Sequence, residues 1–233
     1  MQRIEIGNLT LINGDSKVLL PEMEDESFDF ILTDPPYGLN KVYGRSELGH
    51  RACVGDETTE LGCWTAGESF RLLRPNRWCA VFCGWSKLGE MQTALRAAGL
   101  DIKSVIAWDK TLPGLGQGIR NQYEMIVLAR KGKPAEPFCG GNVWRVPRER
   151  GRPIHPNQKP VALLQQLILY YGGGGNILDP FAGAASVLVA AHGVGAAAIG
   201  IEIEEHVYLA ARERLLQLTD HRTQLHLDQQ NGA

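Results

Sequence analysis

Two short apolar runs in this chain end in the same way. Phe28-Asp29-Phe30-Ile31-Leu32-Thr33 runs into Asp34-Pro35, and Asn176-Ile177-Leu178 runs into Asp179-Pro180. Proline cannot donate to a sheet ladder, and it pushes the residue before it out of the helical region, so each run stops as a strand at its aspartate. In open α/β sheets, ligands bind beyond the carboxyl ends of the strands, where the strand order reverses. Two such strands set side by side at that point would bring both carboxylates to one crevice.

The first ending, Asp34-Pro35-Pro36-Tyr37, is nearly rigid. Neither proline has an N–H, so acceptors outnumber donors beside an aromatic ring. Such a turn suits a planar group that carries donors, for example the exocyclic amine of a base. Read structurally, it is a strand that ends in a proline turn. The second ending continues as Pro180-Phe181-Ala182-Gly183-Ala184-Ala185-Ser186. Small residues let the backbone approach a ligand, and the helix that follows offers free N–H groups. Glu202, about twenty residues on at the end of the next strand, is placed for ribose hydroxyls.

The rest of the chain alternates strand and helix. Strands are expected at 4–12, 28–33, 77–83, 102–108, 123–129, 176–179 and 195–201, and helices at 60–73, 87–98, 159–171, 187–192 and 204–218. This predicts one α/β domain over residues 1–220 with helices on both faces of the sheet, and a tail at 221–233. A polar, glycine-containing loop occupies 38–58, and a basic, proline-rich excursion occupies 131–154.

A net charge of -2 provides no global basic field, so a nucleic acid would need a local patch. Arg130, Lys131, Lys133, Arg145, Arg148, Arg150 and Arg152 cluster in sequence and could form one. Five cysteines of mixed spacing predict reduced thiols in a cytoplasm, with Cys79 and Cys83 in the core. No histidine–cysteine spacing suggests a metal. No apolar run approaches membrane-spanning length, and the start does not read as a secretory leader.

Taken in order, these motifs resemble those of the amino-group DNA methyltransferases that use S-adenosylmethionine. The match is closest to their β class, in which the catalytic motif precedes the cofactor motif. Asn13-Gly14-Asp15 is similar to the motif whose acid reaches the cofactor's adenine, and Asp34-Pro35-Pro36-Tyr37 to the catalytic motif. His155-Pro156-Asn157-Gln158-Lys159-Pro160 is similar to the motif at the methionine end of the pocket. Asp179-Pro180-Phe181-Ala182-Gly183 is similar to the cofactor loop, and Gly200-Ile201-Glu202 to the ribose-binding acid.

The resemblance implies a Rossmann-like methyltransferase fold with a mostly parallel sheet and one antiparallel strand. It implies Asp34, Pro35, Pro36 and Tyr37 as catalytic residues, and S-adenosylmethionine held by Asp15, His155, Lys159, Asp179, Pro180, Phe181, Gly183, Ser186 and Glu202. Double-stranded DNA would be held by Arg45, Arg51, Arg145, Arg148 and Arg150, with the excursion at 131–154 reading the target and a homodimer enlarging the contact surface. Aspartate as the first catalytic residue favours adenine N6 over cytosine N4. The alternatives are a glutamine-amide protein methyltransferase, against which the motif order argues, and a non-catalytic DNA-binding relic. The relic reading is motivated by one departure. Where the family has a Gly-Ser-Gly-Thr type of run, this chain has Gly183-Ala184-Ala185-Ser186. A Cβ at 185 is harmless where φ is negative and could narrow the loop where it is not.

Overall fold

The computed structural model describes residues 2–36, 42–43, 51–52, 60–114, 117–136, 139–149 and 158–231. Side chains are described for these except 42–43, 51–52, 60, 62–63 and 219–231. The strands are β1 (Gln2–Ile6), β2 (Leu9–Asn13), β3 (Phe28–Thr33), β4 (Val42–Tyr43), β5 (Arg51–Ala52), β6 (Leu73–Cys83), β7 (Asp101–Asp109), β8 (Tyr123–Lys131), β9 (Val143–Arg145), β10 (Asn176–Asp179) and β11 (Ala197–Glu202). The helices are α1 (Ser16–Leu19), α2 (Glu60–Leu72), α3 (Leu88–Ala97), α4 (Val161–Tyr171), α5 (Ser186–Val194) and α6 (Glu205–Asn231).

Among the described residues, nine strands form one sheet in the order β1-β2-β11-β10-β3-β6-β8-β7-β9. The run from β2 to β6 is parallel throughout. β8 runs antiparallel to both of its neighbours, and β1 is a second antiparallel strand at the edge. The first segment is therefore a hairpin, where a single strand over 4–12 was expected. Gly7, at φ 59°, opens its two-residue turn, a conformation glycine adopts without Cβ strain. Within the basic excursion, β9 returns to the sheet parallel to β7. Three residues are too few for a periodic signal. The helix α6 continues through residues 221–231, which the sequence reading placed in a tail. Of the loop at 38–58, only the antiparallel β4–β5 pairing lies within the described residues.

Alternation along the central strands divides the core between two faces. Phe30, Leu32, Trp78, Ala80, Phe82, Ile126 and Leu128 pack on the side that carries Leu163, Leu167, Leu188 and Tyr208 from α4, α5 and α6. Ile31, Cys79, Val81, Cys83, Val127 and Ala129 face Ala66, Leu72, Met91 and Leu95 from α2 and α3. Burial pushes the Cys79 thiol up to about 12. It does the same to Cys83, with the Asp34 and Glu124 carboxylates adding to the shift, so both thiols behave as small core residues.

A carboxylate also lies toward the amino end of β3. Asp29 accepts from Arg74 at 2.6 Å, from Arg77 at 3.0 Å and from the Asn176 N–H at 3.0 Å. Burial alone would raise its pKa, but these three donors hold it below the usual carboxylate value. This cluster fixes β10 beside β3. No helix among the described residues is long and apolar enough to cross a membrane.

Candidate active site

From β3 the chain passes through α2 to β6 on one side, and from β10 it passes through α5 to β11 on the other. The strand order therefore reverses between β10 and β3, which pair in parallel through Ile177–Phe30 and Leu178–Ile31. This is the adjacency that the two strand endings require. Beyond it, the Thr33 hydroxyl donates to Asp179 Oδ1 at 3.0 Å, and the Phe181 N–H donates to the same oxygen at 3.1 Å. Burial raises the Asp179 carboxyl to about 7, and the nearby Asp34 and Glu202 carboxylates push the same way against those two hydrogen bonds.

The turns that carry Asp15, Pro180, Gly183 and Glu202, also expected to hold a cofactor, are linked here. The Gly14 N–H donates to the Glu202 carbonyl at 3.0 Å, and the Asn13 side chain donates to it at 2.9 Å. Asp15 caps α1 by accepting from the Lys17 N–H at 2.9 Å, and the Ser16 hydroxyl donates to the Pro180 carbonyl at 2.5 Å. The Asn13-Gly14-Asp15 turn is thus tied to both the ribose-type acid and the small-residue loop. The Glu202 carboxylate accepts from the Gly183 N–H at 2.9 Å and from the Glu204 N–H at 2.8 Å. Burial, assisted by the Glu204 carboxylate, still raises it to about 7.

Ala185 sits at φ 57°, ψ 33°, in the left-handed region, immediately before α5. Its methyl is fully buried in the core cluster on the α4–α6 face. Gly183, at φ 49°, also has a positive φ. Arg214 of α6 backs the loop by donating to the Ala184 carbonyl at 2.8 Å and to the Ser186 hydroxyl at 3.0 Å. A Cβ on Gly200 would lie 2.6 Å from Leu188 Cδ1 and 2.9 Å from Ala182 Cβ, so the loop packs against β11 only because residue 200 has none.

At Asp34 the surroundings are ionic. Lys159 is buried, and its ammonium contacts the Asp34 carboxylate. The same ammonium lies 3.2 Å from Glu124 Oε2 and 5.1 Å from the centroid of the Phe82 ring. Glu124 Oε1 accepts from Lys110, a second buried lysine, whose ammonium stands 5.3 Å from the Trp108 ring. The row Asp34–Lys159–Glu124–Lys110 alternates in sign and sums to zero. Burial would lower Lys159, but the two carboxylates outweigh it and raise its pKa above the usual lysine value. Burial would raise Glu124, but the two ammoniums hold it down at about 2.

Lys159, expected at the methionine end of a cofactor pocket, thus has Asp34 as a direct partner. Glu124 and Lys110 were not anticipated. Their only signal in the sequence was a charge set into or beside an apolar strand run. Pro35 is buried and Pro36 half-buried. Tyr37, Arg45, Arg150 and His155, and the side chain of Arg51, lie outside the described residues.

Among the described residues, the basic cluster does not form one patch. Because β8 is antiparallel, its last residues reach the end of the sheet opposite the two aspartates. There Arg130 pairs with Asp101 and Glu136, and Lys131 with Glu26. Arg145 and Arg148 remain exposed on the excursion, and Arg145 pairs with Asp109 at 2.9 Å. Trp108 is buried and donates to the Val146 carbonyl at 2.7 Å, whereas Trp85 is exposed just after β6.

The profile of the DNA methylases that modify N6 or N4 amino groups matches residues 28–213 of this chain. The chain belongs to this DNA methylase family. This methylase is 31% identical over 208 residues to YubD of Escherichia coli K12, covering 88% of each chain. Among solved structures, it is similar to the M1.HpyAVI–SAM complex, with a TM-score of 0.71 and 22% identity over 89% of this chain and 98% of the other. It is also similar to the cytosine-N4-specific PvuII DNA methyltransferase, with a TM-score of 0.72 and 15% identity over 92% of this chain and 91% of the other. The architecture is the Rossmann-like fold of S-adenosylmethionine-dependent methyltransferases.

Proposed function

We propose that this methylase transfers a methyl group from S-adenosylmethionine to N6 of an adenine in duplex DNA. The observation that carries the reading is the placement of Asp34 and Asp179 at the carboxyl ends of adjacent strands at the reversal of strand order. The site fits the cofactor on its own chemistry. Asp179 and Glu202 are crowded, buried carboxylates with pKa values near 7, and hydroxyl donors and a cationic group would both relieve them. Asp15, Asp179, Phe181, Gly183 and Glu202 would hold the nucleoside, with Pro180 and Ser186 shaping the loop and His155 and Lys159 at its methionine end. Bound there, S-adenosylmethionine supplies an electrophilic sulfonium methyl.

The chain's own residues act on the amine. The lone pair of an exocyclic amine is delocalised into its ring, which makes it a poor nucleophile. Asp34 and the Pro35 carbonyl accept its hydrogens, draw the nitrogen toward tetrahedral geometry, and stabilise the positive charge that develops on it. Pro36 holds the turn, and Tyr37 stacks on a base that must leave the duplex to reach this depth. Arg45, Arg51, Arg145, Arg148 and Arg150 hold phosphates, and the excursion at 131–154 reads the target, aided by a second copy of the chain. A DNA substrate places the enzyme in a bacterial, archaeal or phage-infected cytoplasm.

Aspartate at position 34 is what favours adenine, and the fold itself accommodates cytosine N4 equally well. Exposure of DNA to the purified protein with S-adenosylmethionine, followed by nucleoside mass spectrometry and site mapping, tests both readings. N6-methyladenine at a defined sequence is expected. N4-methylcytosine alone would overturn the adenine assignment, and methyl transfer to protein alone would overturn the DNA reading.

A further inference from the structure

Lys159 stands between two carboxylates. One of them, Asp34, is needed by the target amine if the function above is right, and the inference here rests on that reading. While the ammonium sits on Asp34 Oδ2, it holds one of the two oxygens to which the amine can donate and draws charge from the other, so the carboxylate is a weaker acceptor for the amine. Removing it to nowhere would strand a buried cation, which is far more unfavourable than either pairing. The structure supplies a second position. Glu124 Oε2 is buried and already forms an ion pair with the Lys159 ammonium at 3.2 Å, a contact looser than the one Lys159 makes with Asp34. The other oxygen of Glu124 is tied down by Lys110. Lys110 is in turn fixed at its backbone, where its N–H donates to the Gln122 carbonyl at 2.8 Å. Glu124 is thus an anchored acceptor with one oxygen already ion-paired to the cation and able to take it fully.

We propose that Glu124, held in place by Lys110, is the second position of the Lys159 ammonium: as the amino group of the extruded base engages Asp34, Lys159 moves fully onto Glu124. Glu124 and Lys110 are positioning residues, acting through Lys159 on Asp34. The charge of the row is zero before and after the exchange, and the Asp34 carboxylate passes from the ammonium to the amine hydrogens as the base enters. No proton needs to move, since Glu124 is ionised and Lys159 protonated in either arrangement.

Three variants separate this role from simple support of the fold. Glu124→Gln leaves Lys110 unpaired and is expected to lower thermal stability. The double variant Glu124→Gln/Lys110→Met removes both outer charges and leaves no orphan, so stability returns. If the pair served only the fold, turnover would return with it. Instead, Lys159 then keeps Asp34 and has lost Glu124 as a second position. The double variant is expected to bind S-adenosylmethionine within about threefold of wild type, yet turn over about 10²-fold more slowly, the scale of a misplaced reacting group. A duplex carrying 2-aminopurine at the mapped target position reports base capture directly. Its fluorescence rise with wild-type protein is expected to be lost in the double variant. Glu124→Asp keeps a carboxylate and recovers most of the turnover. A double variant with wild-type turnover and an undiminished aminopurine signal overturns the inference while leaving the function standing. A wild-type protein that transfers no methyl to DNA overturns both.

Discussion

Ala185 decides between an active loop and a degraded one, and Ala185→Gly tests which it is. The residue lies at φ 57°, where a Cβ crowds the following carbonyl. Relief of that strain would stabilise the glycine variant by about 1–2 kcal/mol. Two effects oppose it. The extra freedom of glycine in the unfolded chain costs about 0.4–1 kcal/mol. The Ala185 methyl is fully buried, and losing one buried carbon costs about 0.8 kcal/mol more. The sum lies within about 1 kcal/mol of zero, which for a domain of this size shifts Tm by no more than about 2–4 °C. Cofactor affinity is the sharper readout. The methyl points into the core on the α4–α6 face, so removing it opens no room on the ligand side of the loop. S-adenosylmethionine affinity, measured by calorimetry, is expected to stay within about threefold, roughly 0.7 kcal/mol. A gain of about tenfold or more on Ala185→Gly would refute this reasoning and support the relic reading of the loop.

Other consequences can be measured separately. A Cβ on Gly175 would stand 2.1 Å from Asp29 Oδ2, so Gly175→Ala must displace the carboxylate from Arg74, Arg77 and the Asn176 N–H; a loss of about 2–3 kcal/mol is expected in chemical denaturation. Asp34→Ala should leave S-adenosylmethionine binding intact while nearly abolishing methyl transfer; equal loss of both would contradict the role given to Asp34. Arg214→Met removes the donors to the Ala184 carbonyl and the Ser186 hydroxyl, and cofactor affinity should fall by about tenfold with kcat little changed. The Asp179 and Glu202 carboxyls are raised to about 7, so the ligand-free protein is most favoured with them protonated, and the Tm should fall as pH rises through that value from the carboxylate range. Cofactor binding that needs the ionised forms should show the opposite slope, weakening as pH falls below about 7 by up to tenfold per unit for each carboxylate.

What could be read from the sequence was what local chemistry dictates. The Asp-Pro endings at 34 and 179 stop their strands by proline sterics alone, and the small residues at 182–186 announce a close backbone approach. Both places survive in the fold unchanged. The matching strand endings made the adjacency of β3 and β10 a condition for one shared site, and only the sheet shows that it is met. What was not legible depends on register and direction between distant segments. Gly7-Asn8 lies inside an apolar stretch, so the hairpin turn passed for the middle of one strand. Lys110 and Glu124 meet across the β7–β8 junction, and no spacing rule relates a loop residue to a strand residue fourteen positions later. The basic residues from 130 to 152 looked continuous because sequence proximity says nothing about strand direction. The antiparallel course of β8 leaves Arg130 and Lys131 at one end of the sheet and Arg145 beside Asp109 at the other.

β3 carries one carboxylate near its start and another just past its end, and the contrast shows why the ionic row calls for a functional explanation. At Asp29 both oxygens are taken by donors on fixed elements, two guanidiniums half open to solvent and one backbone N–H. That arrangement locks β3 to β10, and a single geometry satisfies it. Near Asp34, two lysines with side chains only 8% and 6% exposed meet at Glu124, and Lys159 also pairs with Asp34. Burying two ammoniums against two half-buried carboxylates is a poor route to stability, since apolar side chains of similar volume often serve as well or better. A row with redundant partners does something a saturated cluster cannot. It can give up one contact and form another without a change in net charge. The end of β3 that faces the reversal of strand order is the end that has this property, and under the proposed function it is where the substrate amine would be admitted.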